Sequence, residues 1–383
     1  MANKKKIVLW GEGKWTENAV FEIKRMALES GQQIEIEYYI SDKDLLFIDK
    51  QRYTYETAPN INQKYIVIAC HDKKYLEIKK ELISNGKEEF KDFIGYRMFG
   101  KKICIINMNC YGFYIKPFLE QNSKFREIYG IYPIPAIHEN KELMIDENVL
   151  KNTELYIHQD IRENNYISEK LSDKYIFPKL KKGCVKICVP NFVGLFNGFY
   201  PNIQNKTYTN VDNETMFFKD TVIEEAYSVC GDTGKLDKIM EYIYNYKFDS
   251  GLVKEQFNHM ICRLRQREKN WDIKIVDYII DNYKRINLIE DINHPTVSLL
   301  YEICNRLLEL LEIENTNYEK TYNMGFAMEI FVMPQVKQIL GMEWKKERVR
   351  LYTIDYCFHD RQPINYRQFV QEYIWKVFNV MLV

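Results

Sequence analysis

The residues able to do chemistry are spread singly along the 383-residue chain. Cys110 ends the stretch Lys102-Ile103-Cys104-Ile105-Ile106-Asn107-Met108-Asn109-Cys110, an apolar run of strand character, and Ile115 to Glu120 then reads as the opening of a helix. A thiol at such a strand–turn–helix sits beside unpaired backbone N–H groups and the positive helix end. A thiolate, an oxyanion or a phosphate is stabilised there, and cysteines so placed become nucleophiles. The competing reading is a buried apolar cysteine at a strand end. In Asp291-Ile292-Asn293-His294-Pro295, Pro295 suits the first turn of a helix. His294 is then expected in the N-cap region, placed to take a proton; a capping segment without chemistry is the alternative. His158, alternating with Tyr156 along an expected strand, is the reserve base and otherwise a satisfied core histidine. Arg263 and Arg267 stand four apart on one helical face. They could grip a phosphate or pair with Glu268 and Asp272.

The elements that must position these groups follow from apolar periodicity. Ile7–Trp10 is a buried-strand run, Gly11-Glu12-Gly13 a tight turn, and 14–30 a helix ended by Gly31. Strands are expected at 34–40, 65–70 and 93–96, with a helix at about 73–85. Alternating strands and helices imply a parallel, Rossmann-like sheet over residues 1–99. Gly11-x-Gly13 opens like a dinucleotide fingerprint, but Thr16 holds the third glycine position and the second strand ends Ile40-Ser41-Asp42. A structural or nucleotide-sugar-binding role is therefore expected of this domain ahead of nicotinamide redox chemistry.

A second α/β domain is expected from residue 100, with a core over 100–212 and a helical part over 213–345, followed by a C-terminal extension over 346–383. Its core has the strand–turn–helix at 103–120, apolar pieces at 129–137 and 155–161, a helix near 168–180 and a strand at 185–189. Ligands of open parallel sheets bind beyond the carboxyl ends of the strands, and Cys110, His158-Gln159 and Asn191 would share that edge. Asp220 reads as a helix N-cap, and 235–246, 252–268, 273–286 and 295–311 carry helical apolar spacing. Residues 315–323 read as an exposed linker, and 365–380 as a closing helix before an apolar, buried terminus.

Four blocks in order, Asn109-Cys110, Glu154 to Asp160, Val189-Pro190-Asn191-Phe192 and Asn293-His294-Pro295-Thr296, resemble the WcbI-type family of bacterial polysaccharide-biosynthesis proteins. The resemblance covers about residues 102–312. It implies a coenzyme A-binding O-acetyltransferase of capsule assembly, acting on a sugar or polysaccharide precursor and working beside polysaccharide-assembly proteins. The family reads Gly-Asn-Cys-Gln where this chain has Met108-Asn109-Cys110-Tyr111, without the close backbone approach of the glycine or the amide of the glutamine. On this reading His294 is the base, with His158 in reserve. Cys110 carries the acyl group or lies beside the coenzyme A thiol, and N–H groups around Cys110-Tyr111 stabilise the oxyanion with Asn109 or Gln159. Asn191, Arg263 and Arg267 complete the coenzyme A or acetyl coenzyme A contacts, and Gly11 and Gly13 those to a nucleotide in the N-terminal domain. Two other readings stay open: a non-catalytic nucleotide- or sugar-binding component of an assembly system, and a Cys-His hydrolase with water as acceptor.

Composition narrows the field. Lys+Arg and Asp+Glu are both 54, so no net field draws nucleic acid or anionic lipid. The 29 tyrosines suit polar clefts as well as cores. Nine scattered cysteines without a C-x-x-C pair argue for a reducing cytoplasm, and six histidines without metal-ligand spacing argue against a metal. The basic start runs directly into a strand, and no apolar run reaches a membrane span. A cytoplasmic protein, at most peripheral to the inner membrane, is expected.

Overall fold

The computed structural model describes residues 5–41, 50–109, 112–134, 144–160, 169–209, 216–231, 235–315, 329–349 and 363–380. It divides into two compact units, Met1–Ile187 and Cys188–Val383.

The first unit opens with β1 (Lys5–Gly11), α1 (Gly13–Ser30), β2 (Ile34–Ile40), β3 (Arg52–Tyr53), β4 (Tyr65–Ala69), α2 (Asp72–Ser84) and β5 (Phe93–Gly95). The strands form one five-stranded sheet, order β3-β2-β1-β4-β5, and every pairing is parallel. Ile7, Val8 and Leu9 are fully buried, as the central strand of a sheet covered on both faces must be. α1 ends at Gly31 with φ +65°, the left-handed stop that glycine adopts without strain. A second set follows: β6 (Lys102–Asn107), α3 (Gly112–Gln121), α4 (Ser123–Ile128), β7 (Tyr129–Ile131), α5 (Glu147–Asn152), β8 (Thr153–His158), α6 (Asp173–Ile176) and β9 (Val185–Cys188). Its order is β7-β6-β8-β9, with β6 parallel to both neighbours. The junction expected at residues 99–100 lies inside this unit, where Ile7, Leu9 and Val67 share one apolar cluster with Ile103, Ile105 and Tyr156.

The single helix expected near 168–180 is broken into the 3-10 turn Glu169–Leu171, α6 and the 3-10 turn Phe177–Lys179. Ser172 Oγ accepts the Tyr175 N–H and starts α6 afresh, and Pro178 has no N–H to continue an α-helical ladder. One buried group ties the layers together. The Glu89 carboxylate, 2% exposed, pairs with Lys79 Nζ at 2.5 Å and accepts from the Tyr75 hydroxyl. Lys79 Nζ also donates to Tyr132 Oη at 2.7 Å, and Asn148 Nδ2 donates to the Glu89 carbonyl at 3.0 Å. Helix α2 is thereby fastened to the exit of β7 and to α5. Burial and the Glu89 charge push both tyrosines well above the ordinary phenol range, so their hydroxyls stay donors.

The second unit begins with an unexpected antiparallel pair, β10 (Ile203–Thr209) and β11 (Met216–Asp220), and is otherwise helical. Its helices are α7 (Thr221–Cys230), α8 (Leu236–Asn245), α9 (Ser250–Glu268), α10 (Val276–Asn282), α11 (Val297–Leu310), α12 (Pro334–Leu340) and α13 (Tyr366–Phe378). In α11, Leu299, Leu300, Ile303, Cys304, Leu307 and Leu308 form the buried stripe that its periodicity requires. Asn365 closes a reciprocal capping box with Gln368 at the start of α13. Most of the expected 315–323 linker and the last three residues lie outside the described residues.

Asp220 caps α7 as expected, its Oδ1 accepting from Val222 N at 3.0 Å and Ile223 N at 3.1 Å. Full burial raises this carboxyl from 3.8 to about 6 despite those bonds and the Asn202 amide. The folded chain therefore holds a proton that the unfolded chain releases near 3.8. The stability this contributes is present at low pH and is lost as pH rises through about 6, to the extent of roughly 2–3 kcal/mol. Asp220→Asn, whose amide the Asn202 side chain can meet by rotating, is expected to flatten that decline. Urea midpoints of both proteins between about pH 4 and 7 measure it, and equal slopes would refute the assignment.

Candidate active site

In the first unit, the carboxyl ends of the adjacent parallel strands β6 and β8 bring Asn107 beside His158. Asn107 is fully buried; its Nδ2 donates to Tyr156 Oη at 2.6 Å and to the Leu171 carbonyl at 3.0 Å, while its Oδ1 has no partner among the described residues. Gln159 Oε1 accepts the Asn109 N–H at 3.0 Å, so the turn after β6 is pinned to the loop after β8. The expected strand–turn–helix is present, with the Gly112 N–H closing onto the Asn109 carbonyl at 2.9 Å. Gly112 also leaves room for Met108, whose Cβ would lie 2.8 Å from an added Cβ. Cys110 and Tyr111 lie outside the described residues.

His158 is 5% exposed, stacked on Tyr156 at 5.2 Å and edge-on to Phe177 at 5.2 Å. Its Nδ1 lies 3.0 Å from Asp173 Oδ1 and 3.2 Å from the Gln159 carbonyl. The hydrogen bond is with the carbonyl; Asp173 Oδ1, though within ion-pair distance, has no hydrogen-bonded partner among the described residues. This is a histidine held by rings and backbone, with little access for a substrate.

The second unit assembles the other group. Asn191 Oδ1 accepts the Val193 N–H at 3.2 Å, shaping a turn in which Gly194 adopts φ +67°. The Gly194 N–H donates to Asn293 Oδ1 at 2.8 Å, and Arg263 Nη2 donates to the Gly194 carbonyl at 3.2 Å. Three residues singled out in sequence, Asn191, Arg263 and His294, thus belong to interlocked segments. Arg267, one turn on along α9, is exposed. Glu268 caps α10 through Val276 N at 2.7 Å, and Asp272 accepts the Cys188 N–H at 2.6 Å.

The setting of His294 differs from the sequence expectation. Thr296 is the N-cap of α11, and Pro295 lies outside the helix, bridged to Ile289. The 289–295 segment closes as a loop, with the Glu290 N–H on the His294 carbonyl at 3.0 Å. Inside it Asp291, 1% exposed, accepts from Asn293 N at 2.6 Å and His294 N at 3.0 Å through Oδ1, and holds His294 Nδ1 at 2.7 Å through Oδ2. A carboxylate only accepts, so the proton of this bond sits on Nδ1 and base chemistry falls to Nε2. The imidazole is 16% exposed against 6% for His158. Sequence reasoning overlooked Asp291 and Asp173. The signal for the first was the Asp-x-x-His spacing itself, which puts a carboxylate within reach of a histidine across one tight turn.

Gly11 and Gly13 stand at the β1–α1 turn. A Cβ on Gly11 would come within 2.2 Å of Thr16 Oγ1 and 2.6 Å of the Ala69 carbonyl, so the chain's own packing requires this glycine. Of the described cysteines, Cys70, Cys104, Cys184, Cys188 and Cys304 are buried, Cys230 is half-buried and Cys262 is exposed. Burial pushes Cys70 to about 12 and Cys184 to about 11, which keeps both as thiols. Among the described residues no group of three or more His, Cys, Asp or Glu could hold a metal, and no helix is long and apolar enough to cross a membrane.

Sheets of parallel strands and a histidine oriented by a buried carboxylate make this an α/β protein with the parts of an acid–base site. A family model described as the polysaccharide biosynthesis enzyme WcbI matches residues 103–316, more than half of the chain, and the chain belongs to that family. A solved structure of WcbI, described as a novel polysaccharide biosynthesis enzyme in its native form without a disulfide bond between coenzyme A and one of its cysteines, is similar at a TM-score of 0.57. It shares 16% identity, with 71% of this chain and 88% of that one covered, which is a likeness of fold. No curated protein matches the chain.

Proposed function

We propose that the chain transfers an acyl group, acetyl in the first instance, from coenzyme A to a hydroxyl of a sugar or polysaccharide precursor. The observation that carries this reading is the Asp291–His294 pair. A buried carboxylate 2.7 Å from Nδ1 fixes the ring and directs Nε2 to proton abstraction, which is what a sugar hydroxyl needs before it attacks a thioester. Membership of a polysaccharide biosynthesis family supplies the substrate class, and the WcbI structure described with reference to coenzyme A and a cysteine supplies the donor.

His294 is the base and Asp291 its positioning residue. Cys110 is the acyl carrier: its thiolate attacks the thioester carbonyl and coenzyme A leaves as thiolate; the sugar hydroxyl then attacks the acyl-cysteine, giving its proton to the base, and the bond to Cys110 breaks with the sulfur leaving as thiolate. N–H groups around Cys110-Tyr111, with Asn109 and Gln159, hold the oxyanion. Asn191, Arg263 and Arg267 serve the coenzyme A phosphates.

Intact mass after mixing with acetyl coenzyme A is expected to show one acetyl adduct that Cys110→Ser removes. An absent adduct with undiminished transfer by Cys110→Ser would eliminate the covalent step. Coenzyme A at about a hundredfold over its Kd should stabilise the fold by roughly 2.7 kcal/mol. No thermal shift at any concentration would remove coenzyme A from the reading altogether.

A further inference from the structure

A cavity of about 710 Å³ opens in the second unit, walled by α12, the extended segment after it and the start of α13. Apart from Tyr244 its lining lies beyond residue 316, outside the part of the chain that the family model matches. Two properties define what it can hold. The first is an aromatic wall: Phe331 and Tyr366 meet edge to face at 5.1 Å, Tyr244 adds a ring that is 55% exposed, and Trp344 is pinned by its Nε1–H to the Tyr283 carbonyl at 2.8 Å.

The second is a cation without a counter-charge. Lys337 is half-buried, with Nζ 3.9 Å from the centre of the Trp344 ring and 3.2 Å from the Trp344 carbonyl, and it has no carboxylate partner among the described residues. Of the neighbouring cations, Lys345 is exposed and likewise has no carboxylate partner among the described residues, whereas two others are paired. Lys346 is paired with Glu290 and lies 3.8 Å from Glu329, and Arg367 is paired with Asp237. Glu343 and Glu347 also line the cavity, both exposed. Burial and the nearby Lys346 charge pull Lys337 down to about 8, the strain expected of an ammonium that lacks an anion.

We infer that this cavity binds a nucleoside diphosphate, its base stacked on the aromatic wall and its phosphates on Lys337. A free phosphate would leave most of the volume empty, and a neutral sugar would leave the lysine unmatched. A ring joined to a diphosphate satisfies both, and cavities of this size enclose ligands of that class. The inference does not depend on acyl transfer.

Calorimetric titration of the full chain tests it, with UDP, inorganic pyrophosphate, uridine and glucose 1-phosphate as probes. UDP is expected to bind at least about tenfold more tightly than each of the other three, because charged hydrogen bonds and ring stacking are each worth about that factor. Lys337→Ala should weaken UDP and pyrophosphate alike. Tyr244→Ala, at an exposed position that the fold does not need, should weaken UDP and leave pyrophosphate unchanged. UDP no tighter than pyrophosphate, glucose 1-phosphate equal to UDP, or either variant binding UDP like the parent would overturn the inference.

Discussion

His294→Ala is expected to lower acyl transfer from acetyl coenzyme A by about 10²–10⁴-fold, the range general-base catalysis contributes. A destabilisation of about 1–3 kcal/mol should accompany it, because buried Asp291 Oδ2 loses its Nδ1 partner, while the Oδ1 bonds to the Asn293 and His294 N–H groups are made to backbone and survive the change. Asp291→Asn should give a comparable loss by a different route. Its amide no longer offers the charged acceptor that fixes Nδ1, so the ring samples wrong tautomers and orientations. His294→Ala combined with Asp291→Asn should then be little worse than either alone, since residues acting as a unit are not additive. Thiol release in the presence of acceptor gives the rates and thermal melting the stability. A His294→Ala protein as fast as the parent would sink the base assignment.

Lys79→Met is expected to destabilise the chain by about 3–5 kcal/mol, because it strands the Glu89 carboxylate in the interior. That carboxylate would keep the Tyr75 hydroxyl and, at 3.3 Å, that of Tyr132, but no cation in place of the one it lost. Replacing both ends, Lys79→Met with Glu89→Gln, removes the uncompensated charge and should recover part of the loss. Urea midpoints at constant slope measure both. A single variant within about 1 kcal/mol of the parent, the size of an exposed pair, would mean that the network is hydrated and weak.

Most regular elements of this protein, though not β3 or the β10–β11 pair, were legible because each is decided by its own residues. Ile34–Ile40, the Gly31 stop, the Asp220 cap and the closing helix after Asn365 are local statements, and the structure repeats them. The α/β class follows from strands alternating with helices, and it too is borne out. Local rules failed where several neighbours compete. Between 168 and 180 a serine cap and Pro178 divide what apolar spacing alone reads as one helix. At Pro295 the usual preference for a first helical turn gave way to a bridge with Ile289. The site was legible in part. His294, Asn191 and Arg263 were in view, and the second unit interlocks their segments. The groups that orient them were not, because Asp291 and Asp173 acquire their partners through a turn and a tertiary contact. Lys79, Glu89 and Tyr132 are likewise brought together over separations of up to 53 residues, beyond any local signal.

The distribution of the thiols decides how alkylating reagents will mark the folded chain. Cys262, outward on α9, should be modified before its buried counterparts. A label counted on the whole protein would therefore register that surface sulfur whatever Cys110 does. A Cys262→Ser background silences it, and mapping the tag to a tryptic peptide separates Cys110 from the half-shielded Cys230.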